Sequence, residues 1–216
     1  MINRKASLLT ACAGILGTMA LTIYFTAPFH WMPLPPPNAN AEQIMSFGNL
    51  YHSEIMLDTW LQQAGTVLSV IFSLALVHFA GVSGNLGGKL TLLAATVITS
   101  LSLAEGTFVI GAVQAGSHGH ADAALTCFEL TNTFIHVFLL APSLFLMMGF
   151  ALLGSTIIPK AFIYSAILLG ISFQILGVLA LFFEKVLLLV IIILMLQNLW
   201  TISASIALIL RKEYRA

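Results

Sequence analysis

Charged side chains are scarce in this chain. Asp, Glu, Lys and Arg make up 7% of its 216 residues, whereas a soluble domain typically carries about 25%. Hydrophobic residues make up 59%, more than a water-soluble chain of this length could hide, and a bilayer removes the need to hide them. The formal net charge is zero, so no basic surface for nucleic acid is expected. These deficits exclude an ordinary soluble domain and a nucleic-acid-binding protein.

Several motifs of membrane enzymes and cofactor proteins are also missing. No Walker phosphate loop appears, so the chain should not itself hydrolyse ATP. No lysine lies inside a hydrophobic stretch, as a retinal Schiff base would require. Residues 81–84, Gly-Val-Ser-Gly, match the G-x-S-G of rhomboid proteases. No histidine occupies the last hydrophobic stretch to activate Ser83, so we interpret 81–84 as a turn.

What the chain does contain is six hydrophobic stretches. A membrane helix needs about 20 mostly apolar residues, and each stretch reaches that length. The fold class predicted is therefore all-α, a polytopic transmembrane helix bundle that forms a single domain over residues 1–216, with an external loop over 28–58. The predicted spans are 7–27, 59–80, 90–113, 128–153, 161–183 and 186–210.

The first span could also be taken for a signal peptide, because Arg4 and Lys5 precede an apolar run. That run is about 20 residues long, whereas a typical signal core has 7–15. No convincing Ala-x-Ala cleavage site follows it. We therefore expect a retained first helix over a cleaved one.

Lysine and arginine fall almost only in alternate gaps between the spans. Positive residues favour the cytoplasmic side, so both termini are predicted to be cytoplasmic in a multi-pass protein of the cell membrane. The exception is Lys185, beside Glu184 in the tight fifth gap. The residues that agree with this orientation are Arg4, Lys5, Lys89, Lys160, Arg211, Lys212 and Arg215.

The external loop contains a predicted helix start. Asn40 is followed three residues later by Gln43, the spacing of a capping box. Ile44, Phe47 and Tyr51 then recur every three or four residues. This pattern predicts either a helix lying in the membrane interface or an early start of the second span.

Two ionisable residues are predicted at membrane depth, where such side chains usually face the bundle interior. Glu105 in the third span lies about 5 Å to the external side of the midplane, and His136 in the fourth span about 7 Å on that same side. The two could therefore meet at one level. Glu105 would be the proton acceptor, and His136 its partner or a second titrating group.

Other polar residues favour the same region. Glu129, Asn132 and His136 follow helical spacing and share one face of the fourth span. Gln174 in the fifth span falls at a similar level. Together these residues predict an outward-facing polar pocket between the third, fourth and fifth spans. The alternative is that they only join helices, since interhelical polar contacts average about 0.6 kcal/mol.

The loop after the third span contains the one metal-like string, with His118, His120 and Asp122. Histidine and aspartate can bind zinc, but a site needs three or four converging ligands. The string is therefore a candidate metal-binding motif that lacks a complete ligand set, and no cofactor is expected. The cysteines, Cys12 and Cys127, are predicted to lie roughly 25 Å apart in depth, too far for a disulfide.

Four stretches, over residues 59–66 (TWLQQAGT), 102–108 (SLAEGTF), 141–160 and 169–182, carry a resemblance. Over about residues 55–185, the chain resembles a family of small six-helix bacterial membrane proteins of unknown function. The resemblance implies a bacterial cytoplasmic membrane, and it supplies no catalytic residue.

Three functional hypotheses remain from the sequence. The first is a non-enzymatic carrier or sensor of a small solute or proton, with the lipid bilayer as its environment. The second is a structural or partner subunit of a membrane complex. The third is a metal-dependent membrane enzyme that uses the loop histidines.

Overall fold

The computed structural model describes residues 4–33, 35–36 and 39–210. These residues form α-helices joined by short connections, with one 3₁₀ turn over Glu184–Val186 and no β-strand among them. The helices are α1 (Arg4–His30), α2 (Ala41–Leu50), α3 (His52–Phe79), α4 (Leu86–Ser117), α5 (Ala121–Leu140), α6 (Leu144–Ala151), α7 (Lys160–Ala180) and α8 (Leu187–Leu210).

Six segments are long and apolar enough to cross a membrane: α1, α3, α4, the pair α5 and α6, α7 and α8. The prediction of an all-helical protein with six spans is therefore confirmed. An even number of crossings places both ends of the bundle on one side. Arg211, Lys212 and Arg215 lie outside the described residues, and the cytoplasmic location of that side stays a prediction.

The external loop is shorter than predicted because helix occupies most of it. The capping box is confirmed, since the Gln43 amide donates to Asn40 Oδ1 and the Asn40 amide donates to Gln43 Oε1, both at 2.9 Å. The chain turns at Tyr51 after α2, and α3 begins at His52. The early start of the second span is thus confirmed. α2 is a separate helix, and its location in the membrane interface stays a prediction. α2 packs against α4 and α5.

The fourth span is broken, whereas the sequence predicted one continuous helix over 128–153. Pro142 has no amide hydrogen and drives the preceding residue into extended geometry. Ala141 accordingly has φ −63° and ψ 147°. Ser143 then caps α6 by accepting a hydrogen bond from the Leu146 amide at 3.4 Å.

The six spans form a closed ring in which each packs against the spans on either side, and α6 also contacts α3. The order around the ring is α1, α3, α4, the pair α5 and α6, α7 and α8, which returns to α1. The largest apolar core lies in the half of the bundle opposite α2, where α6 enters between α3, α7 and α8. Its fully buried members include Phe72, Leu76, Met148 and Leu208.

Glycine permits the close approach of α1 and α3. A Cβ on Gly17 would lie 2.9 Å from the backbone nitrogen of Ser69, and a Cβ on Gly65 would lie 3.0 Å from the Gly17 carbonyl oxygen. Either methyl group would push the two helices apart. This contact sets the rotation of α1 against α3, and therefore which side chains of each helix face the bundle interior.

Two connections were predicted as turns. Residues 81–84 form a turn in which Gly81 has φ +72°, a left-handed conformation that favours glycine. The fifth gap is short, with the turn over Glu184–Val186 between α7 and α8. The interpretation of Gly-Val-Ser-Gly as a turn is confirmed. Cys12 and Cys127 are both free.

Candidate functional site

A polar cluster lies in the half of the bundle that carries α2. It is formed by Tyr24 on α1, Asp58 and Gln62 on α3, and Glu105 on α4. Measured from the middle of each helix, Gln62 and Glu105 lie about 5 Å towards that side, and Tyr24 and Asp58 about 11 Å. All four therefore fall within the roughly 15 Å half-thickness of a hydrocarbon core.

Glu105 is the centre of this cluster. Gln62 Nε2 donates a hydrogen bond to Glu105 Oε2 at 2.6 Å, and the Tyr24 hydroxyl also hydrogen-bonds the carboxylate. Gln62 is 6% exposed and Glu105 is half-buried. Because the three residues come from three different helices, the position of the carboxylate depends on the packing of α1, α3 and α4 together.

Asp58 is the second acid of the cluster. It lies on α3 one turn before Gln62, is 7% exposed, and its Oδ1 is buried without a hydrogen-bond partner. Tyr24 interacts electrostatically with both Asp58 and Glu105. The tyrosine hydroxyl is therefore influenced by both carboxyl groups, and among the described residues it hydrogen-bonds only that of Glu105.

α3 and α4 approach each other closely around this cluster. A Cβ on Gly106 would overlap the Gln63 side chain and lie 3.1 Å from Thr59 Cγ2. Ser102, one turn deeper than Gly106, donates a hydrogen bond to the Thr66 hydroxyl at 3.3 Å. The glycine thus lets the carboxylate of the neighbouring Glu105 reach α3.

The arrangement is suited to holding and passing protons. An ionisable group at membrane depth costs at least about 2.5–3.5 kcal/mol when charged. No cation forms an ion pair with Asp58 or Glu105 among the described residues. A carboxyl group in such surroundings binds a proton readily, and a tyrosine hydroxyl can both donate and accept a hydrogen bond.

The expected meeting of Glu105 with His136 is not what the structure shows. Glu105 faces α1 and α3, and no hydrogen bond or ion pair joins it to His136 in the described part of the chain. Glu129, Asn132 and His136 are exposed on α5. The reason is the rotation of α5, which packs through its phenylalanines and turns these polar residues outward. Their ligand- or proton-handling roles stay predictions.

Gln174 instead contacts the break in the fourth span. Its Oε1 accepts a hydrogen bond from the Ser143 backbone amide at 3.0 Å. That amide precedes α6 and has no partner within a helix. The half-buried Gln174 side chain therefore stabilises the junction of α5 and α6, a contact that the sequence did not indicate.

The loop residues proposed as weak metal ligands do not form a site. His118, His120 and Asp122 are exposed around the turn between α4 and α5. Among the residues that the structure describes, no three His, Cys, Asp or Glu side chains converge closely enough to hold a metal ion. The loop thus lacks the converging set that zinc binding needs.

Tyr24 and Asp58 were not predicted as members of the cluster. The predicted second span began at residue 59, so Asp58 counted as a loop residue just outside the membrane. Tyr24 counted only as part of an apolar run. The spacing of Asp58, Gln62 and Thr66 at intervals of four residues on α3 could have identified this polar face.

No protein-family model, curated protein or solved structure matches this chain. The comparisons therefore give no support to the resemblance to bacterial six-helix proteins. Membership of that family and bacterial origin stay predictions, whereas the six apolar helices stand on the structure itself.

Proposed function

We propose that this integral membrane protein carries or senses protons through the cluster of Tyr24, Asp58, Gln62 and Glu105. We place it in the cytoplasmic membrane of a bacterium, with both termini inside the cell. In that orientation the cluster lies in the external half of the membrane, because it shares a side with α2. The proposal keeps the sequence hypothesis of a proton site at Glu105 and replaces its partners.

The observation that carries this proposal is a pair of buried acids, of which one has an oxygen atom without a hydrogen-bond partner. Glu105 has two hydrogen-bond partners, whereas Asp58 Oδ1 has none and is nonetheless buried. A buried unpaired carboxylate oxygen is costly. A protonated Asp58 lowers that cost, so this residue is suited to holding a proton on the external side of Glu105.

A single hydroxyl can move the proton between the two acids. Because no hydrogen bond joins Asp58 to Tyr24, the Asp58 side chain must first rotate towards the Tyr24 hydroxyl. A protonated Asp58 then gives its proton to the Tyr24 oxygen while the Tyr24 hydroxyl gives its own proton to Glu105. Afterwards Asp58 is ionised, Tyr24 is again neutral and Glu105 is protonated, so one proton has moved inward. Gln62 holds the Glu105 carboxyl group in place through its amide.

The test is proton uptake into proteoliposomes that contain a pH-sensitive dye. We expect Glu105→Gln to abolish proton uptake, because an amide cannot take up a proton at neutral pH. Tyr24→Phe should reduce it strongly, since the ring stays and only the bridging hydroxyl is lost. Glu54→Gln is the matched control, because Glu54 is an exposed acid in the first turn of α3.

The outcomes separate a proton site from a purely structural contact. Folded Glu105→Gln protein, with wild-type thermal stability and no proton uptake, supports the proposal. Wild-type uptake in folded Glu105→Gln protein would refute it. If Glu105→Gln does not fold, the milder Tyr24→Phe decides, and unchanged uptake in that variant counts against the relay.

A further inference from the structure

A polar stripe lies on the outer surface of α5. It consists of Glu129, Asn132, Thr133 and His136, which are all exposed. Their spacing of three and four residues places them on one face of the helix, along about 10 Å of its length. The stripe is flanked by the exposed apolar residues Leu130 (38%), Val137 (42%) and Leu140 (53%).

The stripe points away from the contacts that α5 makes with α4 and α7. Phe134 packs against Phe108 of α4, with ring centroids 5.3 Å apart, and Phe138 packs against Phe173 of α7 at 5.6 Å. His136 lies two residues from each of them. Two residues correspond to about 200° around a helix, so His136 faces the opposite side from both contacts.

Lipid is a poor environment for this face. His136 lies at the middle of the fourth span, Ala121–Ala151, and Glu129 about 10 Å from it. Both are therefore within the hydrocarbon core, where charged side chains are costly and amide or imidazole groups find no hydrogen-bond partners. The Thr133 hydroxyl already has a hydrogen-bond partner within α5, because it donates to the Glu129 carbonyl oxygen at 3.0 Å. Glu129, Asn132 and His136 need a partner from outside.

We propose that a second copy of this chain covers the stripe, with α5 packed against α5 around an axis along the membrane normal. Two copies inserted in the same orientation bring like residues together, so each group must be able to pair with itself. An asparagine amide and a neutral imidazole each carry a donor and an acceptor. Asn132 lies midway along the stripe, where the two helices would be closest.

The charges of the stripe also favour a second copy over an oppositely charged partner. With a neutral His136 imidazole, the stripe has a single acid, Glu129, and no run of like charges for an oppositely charged helix to neutralise. The carboxylate of Glu129 lies one turn from the amide of Asn132, which can donate to it across the interface. The flanking Leu130, Val137 and Leu140 supply apolar contact on the rim.

Cysteine cross-linking in native membranes tests this contact. The experiment uses full-length protein in which Cys12 and Cys127 are replaced by alanine. We expect Asn132→Cys to give a disulfide-linked dimer on mild oxidation. Leu168→Cys is the matched control, since Leu168 is 64% exposed but lies on α7, away from the stripe, and it should give none. Equal cross-linking at both positions, or none at 132, would overturn the proposal.

A second measurement distinguishes a second copy of this chain from another protein or water as the group that covers the stripe. Single-molecule photobleaching of the labelled protein in lipid nanodiscs should show mostly two-step traces, and Asn132→Leu should weaken association at least about threefold. One-step traces for the wild type would overturn the proposal. So would a cross-link from position 132 to a different polypeptide, which would make another membrane protein the occupant. The proposal would also be overturned if a membrane-impermeant maleimide labels monomeric Asn132→Cys protein. The stripe would then be covered by water and not by a second copy.

Discussion

Gln174 offers a sharp test of the structure, because its side chain has one identifiable partner. Its Oε1 accepts a hydrogen bond from the Ser143 amide at 3.0 Å, at the break between α5 and α6. Ser143 is 3% exposed, and its amide has no partner within a helix. Gln174→Leu would keep a side chain of similar size and leave this buried amide unsatisfied.

The loss of unfolding free energy expected for Gln174→Leu can be estimated from two known ranges. An unsatisfied buried donor costs about 1–3 kcal/mol, whereas hydrogen bonds between membrane helices average about 0.6 and reach about 1.7 kcal/mol. The Ser143 amide belongs to a fixed backbone and cannot turn to another acceptor. We therefore expect a loss near the upper membrane value, about 1.5 kcal/mol, or roughly tenfold in the unfolding equilibrium.

Gln197→Leu is the matched comparison. Gln197 Nε2 lies 3.5 Å from the Leu169 carbonyl oxygen, which already accepts a bond within α7. Removing this long contact should cost less than about 0.6 kcal/mol. The assay is reversible unfolding in mixed detergent micelles, with both variants measured beside the wild type. Equal losses for the two glutamine variants, or an unchanged Gln174→Leu, would refute the reasoning.

The remaining predictions concern helix contacts and a helix cap. Gly17→Ala should destabilise the protein by about 1–3 kcal/mol, because the new methyl group meets α3 backbone. Gly48→Ala is its control in the same unfolding assay, since a Cβ there lies 3.8 Å from its nearest neighbour and should not destabilise the protein. Asn40→Ala should destabilise α2 by about 1 kcal/mol and speed amide hydrogen exchange at Gln43 several-fold. Asn49→Ala, exposed at the other end of α2, should leave that exchange unchanged.

The number and approximate positions of the spans could be predicted because they depend on local composition. About 20 consecutive apolar residues suffice to cross a bilayer, whatever surrounds them. The ends of the helices were predicted less accurately, because helices continue beyond the apolar stretch. α3, for example, begins at His52 and not at residue 59. The break at Pro142 was missed because the residues around it are apolar and fit a continuous span. The capping box at Asn40 was predicted because its partner lies only three residues away.

The composition of the candidate site could be predicted only in part. Glu105 was identified because an acid inside an apolar run stands out. Its partners could not be identified, because a helix that is apolar on most sides has little in its sequence to mark which side faces inward. Tyr24 in particular gave no indication of its role before α1 and α3 were packed.

The positions of the apolar stretches along the sequence determined that this is a six-span helical membrane protein, because the bilayer requires apolar length and a fully bonded backbone, both of which are local properties. Tertiary structure decided the rotation of each helix about its axis. Glycine contacts such as Gly17 with α3 turn Tyr24 and Glu105 towards each other, whereas the phenylalanine contacts of α5 turn His136 outward. Rotation depends on how neighbouring surfaces fit, and that fit exists only once the helices are packed.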